Sequence, residues 1–163
     1  MQSKWSDAEA KDFATRYAPQ GVNEDLAVRT YTTRLLGSDP RMVLQDALAR
    51  HNIEKNPADF EAHYNLAAML QSKNQADAAI AEYQAAVRLQ PDDAVANNAL
   101  GAALTEAGHP DQAVVYLKSA FKARADYFDA HYNLGIALAT QDDFEGAAGE
   151  FQIAARLRPQ TIE

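Results

Sequence analysis

Histidines are the side chains of this sequence best suited to general acid–base catalysis or metal binding. The four of them, His51, His63, His109 and His131, are spread along the chain. An active site needs polar groups that converge, and these histidines show no such clustering. His63 and His131 occupy equivalent places in two similar segments, where each faces a neighbouring helix. We therefore predict that both lie at the edge of the core, hydrogen-bonded inside their own helix pair.

Two pairs of adjacent carboxylates, Asp92-Asp93 and Asp142-Asp143, are the next candidates, since paired carboxylates often act as acid and base. Both pairs directly precede helical segments, where a carboxylate caps free N–H groups and meets the positive end of the helix dipole. We therefore predict capping. The sequence has no cysteine, glycine-rich phosphate loop, Gly-x-Ser-x-Gly or His-Glu-x-x-His motif. It predicts no catalytic residue, no metal, no cofactor and no enzymatic activity.

The elements that carry these side chains recur every 34 residues. Residues 60–67 (Phe-Glu-Ala-His-Tyr-Asn-Leu-Ala) are answered by residues 128–135 (Phe-Asp-Ala-His-Tyr-Asn-Leu-Gly), with a related segment halfway between them at 94–101. Three units follow: 60–93, 94–127 and 128–161. Apolar residues recur at intervals of three and four, which predicts two amphipathic helices per unit. A small residue stands eighth in each unit, at Ala67, Gly101 and Gly135, where we expect two helices to approach closely.

This pattern resembles the tetratricopeptide repeat family, whose 34-residue unit has Leu-Gly or Leu-Ala at places seven and eight and proline at place 32. Pro91 and Pro159 match that proline, whereas Ala125 replaces it in the second unit. The replacement predicts a longer or less bent helix near 111–126. His63, Asn97 and His131 stand where the family prefers tryptophan, which predicts a more polar contact in each helix pair. The resemblance implies an all-α, right-handed superhelical solenoid of three helix hairpins, preceded by a helical N-terminal segment.

The first 59 residues lack the period but are also predicted to be helical. We expect a helical leader over 1–38, a capping helix over 39–59 that runs from Arg41 to about Lys55, and repeats over 60–163. Residues 1–44 also resemble the extreme N-terminus of class II rhamnulose-phosphate aldolases fused to dehydrogenases. That family continues into a phosphate-binding His-Gly-Gly-Gly-Asn-Thr-Ser motif, whereas residues 45–51 here are Gln-Asp-Ala-Leu-Ala-Arg-His. Aldolase activity is therefore not implied.

The resemblance also implies a binding surface, because the first helix of each family repeat lines a concave wall. Asparagine amides on that wall would donate to and accept from a peptide backbone, and tyrosines would supply contact area. The alternative for Asn65 and Asn133 is that they are solvated helix residues. The resemblance thus implies a non-enzymatic scaffold that binds a peptide of a partner protein. The candidate groove residues are Tyr64, Asn65, Ala68, Asn98, Ala102, Thr105, Asp129, Tyr132, Asn133 and Ile136.

Charge narrows the class of partner. The chain has a formal net charge of -8, and residues 60–163 hold 7 Lys and Arg against 14 Asp and Glu. This acidity argues against nucleic acid or an anionic membrane as partner. In the family the wall consists of places 2, 5, 6, 9, 12 and 13 of each unit, which are here residues 61, 64, 65, 68, 71 and 72, residues 95, 98, 99, 102, 105 and 106, and residues 129, 132, 133, 136, 139 and 140. These wall positions carry no Lys or Arg, and Asn133 alone matches the carboxylate clamp of chaperone-binding relatives. We therefore expect a basic or neutral peptide rather than an acidic one. With no signal peptide or apolar run of spanning length, the expected location is the cytoplasm.

A second hypothesis concerns the end of the repeats. No helix follows the third unit to cover an apolar face expected from Phe144, Phe151 and Ile153. Such a face invites self-association into a homo-oligomer through the C-terminal repeat, or marks a fragment of a longer array.

Overall fold

A computed structural model describes the backbone of residues 40–157 and the side chains of residues 45–157. The predicted helical leader and most of the aldolase-like segment lie outside these residues. Every regular element within 40–157 is an α-helix. The seven helices are α1 (Pro40–Lys55), α2 (Phe60–Ser72), α3 (Ala76–Leu89), α4 (Ala94–Glu106), α5 (Pro110–Ala123), α6 (Phe128–Thr140) and α7 (Phe144–Leu157).

The chain divides after Ala62 into two compact units. In the first unit, α1 begins one residue before the predicted start, at Pro40. A proline suits the first helical position because a backbone N–H at that position has no acceptor within the helix, so its absence costs no hydrogen bond. The carboxylate of the buried Asp46 accepts a hydrogen bond from Arg50 at 3.0 Å, one turn further along α1. The role of α1 as a cap stays a prediction.

The repeats have the predicted period. The first helices α2, α4 and α6 begin at Phe60, Ala94 and Phe128, the first residues of the three predicted units. Within the second compact unit, α4 packs against α5 and α3, while α6 packs against α7, α5 and α4. Both α4 and α6 thus contact their own hairpin partner and the preceding hairpin. The predicted all-helical repeat fold is confirmed.

The turn inside each hairpin repeats as well. Asn74, Gly108 and Asp142 lie 34 residues apart and have φ values of 56°, 82° and 60°. Asparagine, glycine and aspartate tolerate this left-handed conformation best, so the three sequences make one backbone turn with different residues. Pro110 stands at the start of α5. The predicted capping is also confirmed, because Asp93 accepts from the Ala96 N–H at 2.7 Å and Asp143 from the Gly146 N–H at 2.9 Å.

Small residues bring the two helices of a hairpin together, as predicted. A Cβ atom added at Gly101 would lie 2.5 Å from Leu117 Cγ, and one added at Gly135 would lie 2.5 Å from Phe151 Cε1. In the first hairpin the equivalent Ala67 is fully buried. Gly101 and Gly135 therefore allow the large side chain of the second helix to fill the space that a Cβ would need.

The prediction of a longer helix at Ala125 was wrong. Helix α5 ends at Ala123 and has 14 residues, like α3 and α7. The backbone N–H of Arg124 donates to the carbonyl of Ala120, as Gln90 does to Ala86 at the end of α3. Both helices end because the next residue leaves the helical conformation, with φ and ψ of -133° and 83° at Gln90 and of -143° and 98° at Arg124, and neither residue is a proline.

Candidate functional site

The two histidines of the repeats link the helices of their hairpins. His63 Nδ1 lies 2.6 Å from Glu82 Oε2, and His131 Nδ1 lies 2.7 Å from Glu150 Oε2. Both imidazoles are buried, with exposed fractions of 9% and 7%. The prediction of histidines hydrogen-bonded at the core edge is confirmed. Within the described residues, no group of three or more His, Cys, Asp or Glu side chains is placed to hold a metal ion.

The middle unit has a different buried polar side chain at the place of these histidines. Asn97 is buried in place of a histidine, and its Nδ2 donates to the carbonyls of Pro91 and Asp93 at 2.7 and 2.8 Å. Its partners therefore belong to the start of its own helix and the preceding turn. The predicted polar contact between paired helices holds for the first and third hairpins and not for this asparagine.

The candidate groove residues of the second compact unit lie on α2, α4 and α6, and all of them are exposed or half-exposed. Val95, Tyr132 and Ile136 are the large apolar side chains among the wall positions that remain open, with exposed fractions of 40%, 47% and 37%. Their counterparts on the inner faces of the same helices, such as Leu100 and Leu134, are buried. The wall is thus accessible to a ligand while the opposite faces form the core.

Hydrogen bonds between neighbouring first helices fix the register of the wall. Asn133 Nδ2 donates to Asn98 Oδ1 at 2.9 Å, from α6 to α4. Gln71 Nε2 donates to Glu106 Oε2 at 2.8 Å, from α2 to α4. Each bond joins residues 35 positions apart, so the three helices run in the same direction with the same offset.

The asparagines of the wall are therefore not equivalent. Asn98 and Asn133 are bonded to each other, which holds both amides in fixed orientations and leaves Asn133 Oδ1 as an acceptor. Asn65 is exposed. The corresponding residue of the second unit is Ala99, which has no side-chain amide, so α4 makes no similar bond to α2 at this place. Sequence reasoning selected all three asparagines but missed the bond between two of them.

Tyr127 is a wall neighbour that sequence reasoning missed. The Arg124 guanidinium lies 3.7 Å from the centroid of the Tyr127 ring. Burial raises the pKa of the Tyr127 hydroxyl, and the carboxylate of Asp129 raises it further, against the opposing effect of Arg124. A signal was available, because Asp59 and Asp93 precede the first helix of their units whereas a tyrosine precedes the third.

The two groove tyrosines differ in how they are held. Tyr132 stacks on Phe128 at 5.9 Å between ring centroids and meets Phe151 at 5.6 Å, yet remains 47% exposed. Tyr64 is half-buried and lies edge-on to Tyr83 at 5.6 Å. Tyr132 is therefore an accessible aromatic side chain held from two sides, whereas Tyr64 contributes part of its surface to the hairpin core.

Tyr83 connects this core to the wall. Its hydroxyl donates to Gln71 Oε1 at 3.1 Å, and Gln71 in turn donates to Glu106. Burial raises the pKa of Tyr83 to about 12, with further contributions from Tyr64 and Glu106. The phenol therefore stays protonated, and its hydrogen bond orients Gln71 on the wall.

The apolar face predicted at the end of the repeats needs one correction. Phe144 is 65% exposed and Ile153 is 38% exposed, whereas Phe151 is half-buried inside its own hairpin against Gly135 and Tyr132. Phe151 points inward because Gly135 leaves room for its ring. The exposed large apolar side chains of α7 are thus Phe144 and Ile153.

Comparisons with known proteins agree with this architecture. Sequence profiles of tetratricopeptide repeats match residues 48–81, 69–108 and 98–161. A search of curated proteins finds no significant match. A MamA crystal structure is similar at 20% identity with a TM-score of 0.71, over 75% of this chain and 71% of that one.

Two further solved structures have the same fold. Residues 41 to the end of MamA from Desulfovibrio magneticus RS-1 are 22% identical, with a TM-score of 0.65 over 97% of this chain and 99% of that one. YrrB, described as a TPR protein with an unusual peptide-binding site, is 20% identical, with a TM-score of 0.62 over 76% of this chain and 70% of that one.

Within the described residues, no helix has the length and apolarity needed to cross a membrane. The hairpins, their period and their wall of first helices match a family of protein-interaction modules, and the fold supports a protein–protein interaction scaffold. This chain belongs to the tetratricopeptide repeat family.

Proposed function

We propose that this protein is a non-enzymatic scaffold that binds a peptide segment of a partner protein in the groove lined by α2, α4 and α6. The observation that carries the proposal is that exposed side chains of the wall are held in position by neighbouring side chains. Tyr132 is held by Phe128 and Phe151, and Asn133 by Asn98. Groups held in place before binding lose little conformational entropy on binding, which favours affinity.

The partner that we propose is basic or neutral. Glu106 and Asp129 are exposed on the wall, and its positions in α2, α4 and α6 carry no Lys or Arg. An acidic peptide would meet carboxylates with no cation to pair with, which disfavours it by electrostatic repulsion. YrrB, a TPR protein with an unusual peptide-binding site, has the same fold, and this similarity of fold agrees with a peptide ligand.

Affinity capture from lysate of the source cells tests this function. The intact protein is compared with Tyr64→Ala/Asn65→Ala/Tyr132→Ala/Asn133→Ala and with the control Val115→Ala/Lys118→Ala, whose residues are exposed on α5. Circular dichroism confirms that the helices are retained. We expect a protein held by the intact and control chains and lost from the groove variant. Equal capture by all three would refute binding in the groove.

The cytoplasm stays the expected compartment, which fractionation of these cells would test.

Self-association through the last hairpin is a second candidate, favoured by the 65% exposure of Phe144. Along the same stripe, Ala148 and Ala155 are exposed at places where inner hairpins have Ile80 or Val114 and Val87 or Phe121 packed against the core. A helix seated here would cover Phe144 as the first helices cover the inner hairpins. Light scattering over a range of concentrations should show an oligomer that Phe144→Ser dissociates; a strict monomer would rule this candidate out.

A further inference from the structure

The accessible apolar surface of the groove is concentrated between α4 and α6. Asn98 and Asn133 face each other across these helices at 2.9 Å. About one turn further along the two helices come Ala102 on α4 and Ile136 on α6, and about one turn back come Val95 and Asp129. Tyr132 precedes Asn133 directly. We call the resulting surface the anchor strip, which consists of Val95, Ala99, Ala102, Tyr132 and Ile136.

The anchor strip has the properties of a binding hot spot. Its largest member, Tyr132, is 47% exposed and contacts two other aromatic rings, so its orientation is set before a ligand arrives. Ala99 and Ala102 are half-exposed and small, so at these two places α4 carries no large side chain that would keep a ligand away from the wall. The equivalent surface of α2 lacks this form because Tyr64 leans on Tyr83 and Ala68 takes the place of Ile136.

Carboxylates flank the anchor strip at both ends. Asp129 lies one turn before Tyr132 on α6, and Glu106 lies one turn after Ala102 on α4; both are exposed. The wall positions of α2, α4 and α6 supply no positive charge to balance them. A ligand that covers the strip therefore meets apolar surface at its centre and negative charge at each end.

We propose that the anchor strip binds an apolar side chain of a partner peptide against Tyr132 and Ile136, while Asp129 and Glu106 select peptides with Lys or Arg on either side of it. This inference rests on the proposed function and specifies its ligand. The first repeat, with Tyr64 and Asn65, contributes weaker contacts. The peptide carbonyls and amides near the strip meet the Asn133 amide, whose orientation Asn98 fixes.

Selection of peptides from a random library displayed on phage, with the full-length chain as target, tests the inference. We expect enriched peptides to share a large apolar residue flanked by Lys or Arg. Tyr132→Ala should weaken their binding about 25-fold or more, as expected for a hot-spot residue. Ile136→Ser keeps the aromatic stack and should also weaken binding, whereas Val115→Ala on α5 should leave the Kd unchanged. Asp129→Asn/Glu106→Gln should reduce both the affinity and its dependence on salt.

Other outcomes overturn the inference and separate it from the proposed function. Enrichment of acidic peptides, or Kd values unchanged by Tyr132→Ala and Ile136→Ser, would refute the anchor strip. If Tyr64→Ala/Asn65→Ala instead abolishes binding, peptide binding in the groove stands and this assignment falls. If no peptide is enriched, both the anchor strip and the proposed peptide binding in the groove are refuted. If light scattering shows that Ile136→Ser dissociates an oligomer, the strip is covered by a second copy of the chain and the inference is wrong.

Discussion

The close approach of paired helices in the repeats can be tested by adding one methyl group. Gly101 and Gly149 are both helical glycines, in α4 and α7 respectively. A Cβ at Gly101 would lie 2.5 Å from Leu117 Cγ and 3.3 Å from the carbonyl oxygen of Ala113, whereas nothing lies within 4 Å of a Cβ at Gly149. The same substitution to alanine therefore probes a filled position and an open one.

The expected magnitudes follow from two opposing effects. Replacing a helical glycine by alanine stabilises the helix by about 1 kcal/mol at either position. At Gly101 the methyl group must displace Leu117, which is fully buried. Overpacking of this kind costs about 1–3 kcal/mol. Gly149→Ala should thus stabilise the protein by about 1 kcal/mol, and Gly101→Ala should be about 1–3 kcal/mol less stable than that variant.

Urea denaturation at equilibrium, followed by circular dichroism, measures both variants against the unmodified chain. Gly135→Ala gives an intermediate case, since the Phe151 ring that it would contact is half-buried and has room to shift. If Gly101→Ala and Gly149→Ala stabilise the protein equally, the close approach at Gly101 and the packing described for the hairpins would be refuted.

Three other predictions concern single interactions. Asp93→Ala should destabilise the protein by about 1 kcal/mol, because it removes the cap on α4. The control Asp92→Ala replaces an exposed neighbour and should change stability by less than about 0.5 kcal/mol. Equal urea midpoints for the two variants would contradict the capping role. Glu150→Ala leaves the buried His131 without its partner and should cost about 1–3 kcal/mol, against little change for the exposed Gln152→Ala; thermal unfolding of both variants checks this. Because the pKa of Tyr83 is raised from 10.0 to about 12, the folded chain retains a proton that the unfolded chain loses, so stability should fall as pH rises through this interval. Tyr83→Phe should remove that part of the decline in alkaline unfolding experiments, and an unchanged pH profile would show that Tyr83 does not cause it.

The fold was largely predictable because a repeated sequence reveals its own boundaries. The 34-residue period located the starts of α2, α4 and α6, and small residues at 67, 101 and 135 indicated where helices meet. The error at Ala125 arose because proline was treated as the feature that ends the helix. Arg124 adopts an extended backbone, which ends the helix without one.

The chemistry of the wall was harder to predict. Family positions located Asn98 and Asn133 on the wall, but whether two amides bind each other depends on the offset between neighbouring helices, which a single unit does not encode. The inward orientation of Phe151 likewise depends on Gly135 in the opposite helix. Both interactions link residues that are far apart in the sequence. The sequence therefore predicted which residues line the wall, but not which neighbouring side chains hold them in place.

Site-specific photo-crosslinking in the source cells tests the central claim most directly. Benzoylphenylalanine is placed at Ile136 in the groove and, as a matched control, at Val115 on α5, where the native side chain is 61% exposed. We predict an adduct with a partner protein from position 136 and none with that partner from position 115. Adducts with the same partner from both positions, or from position 115 alone, would contradict binding in the groove.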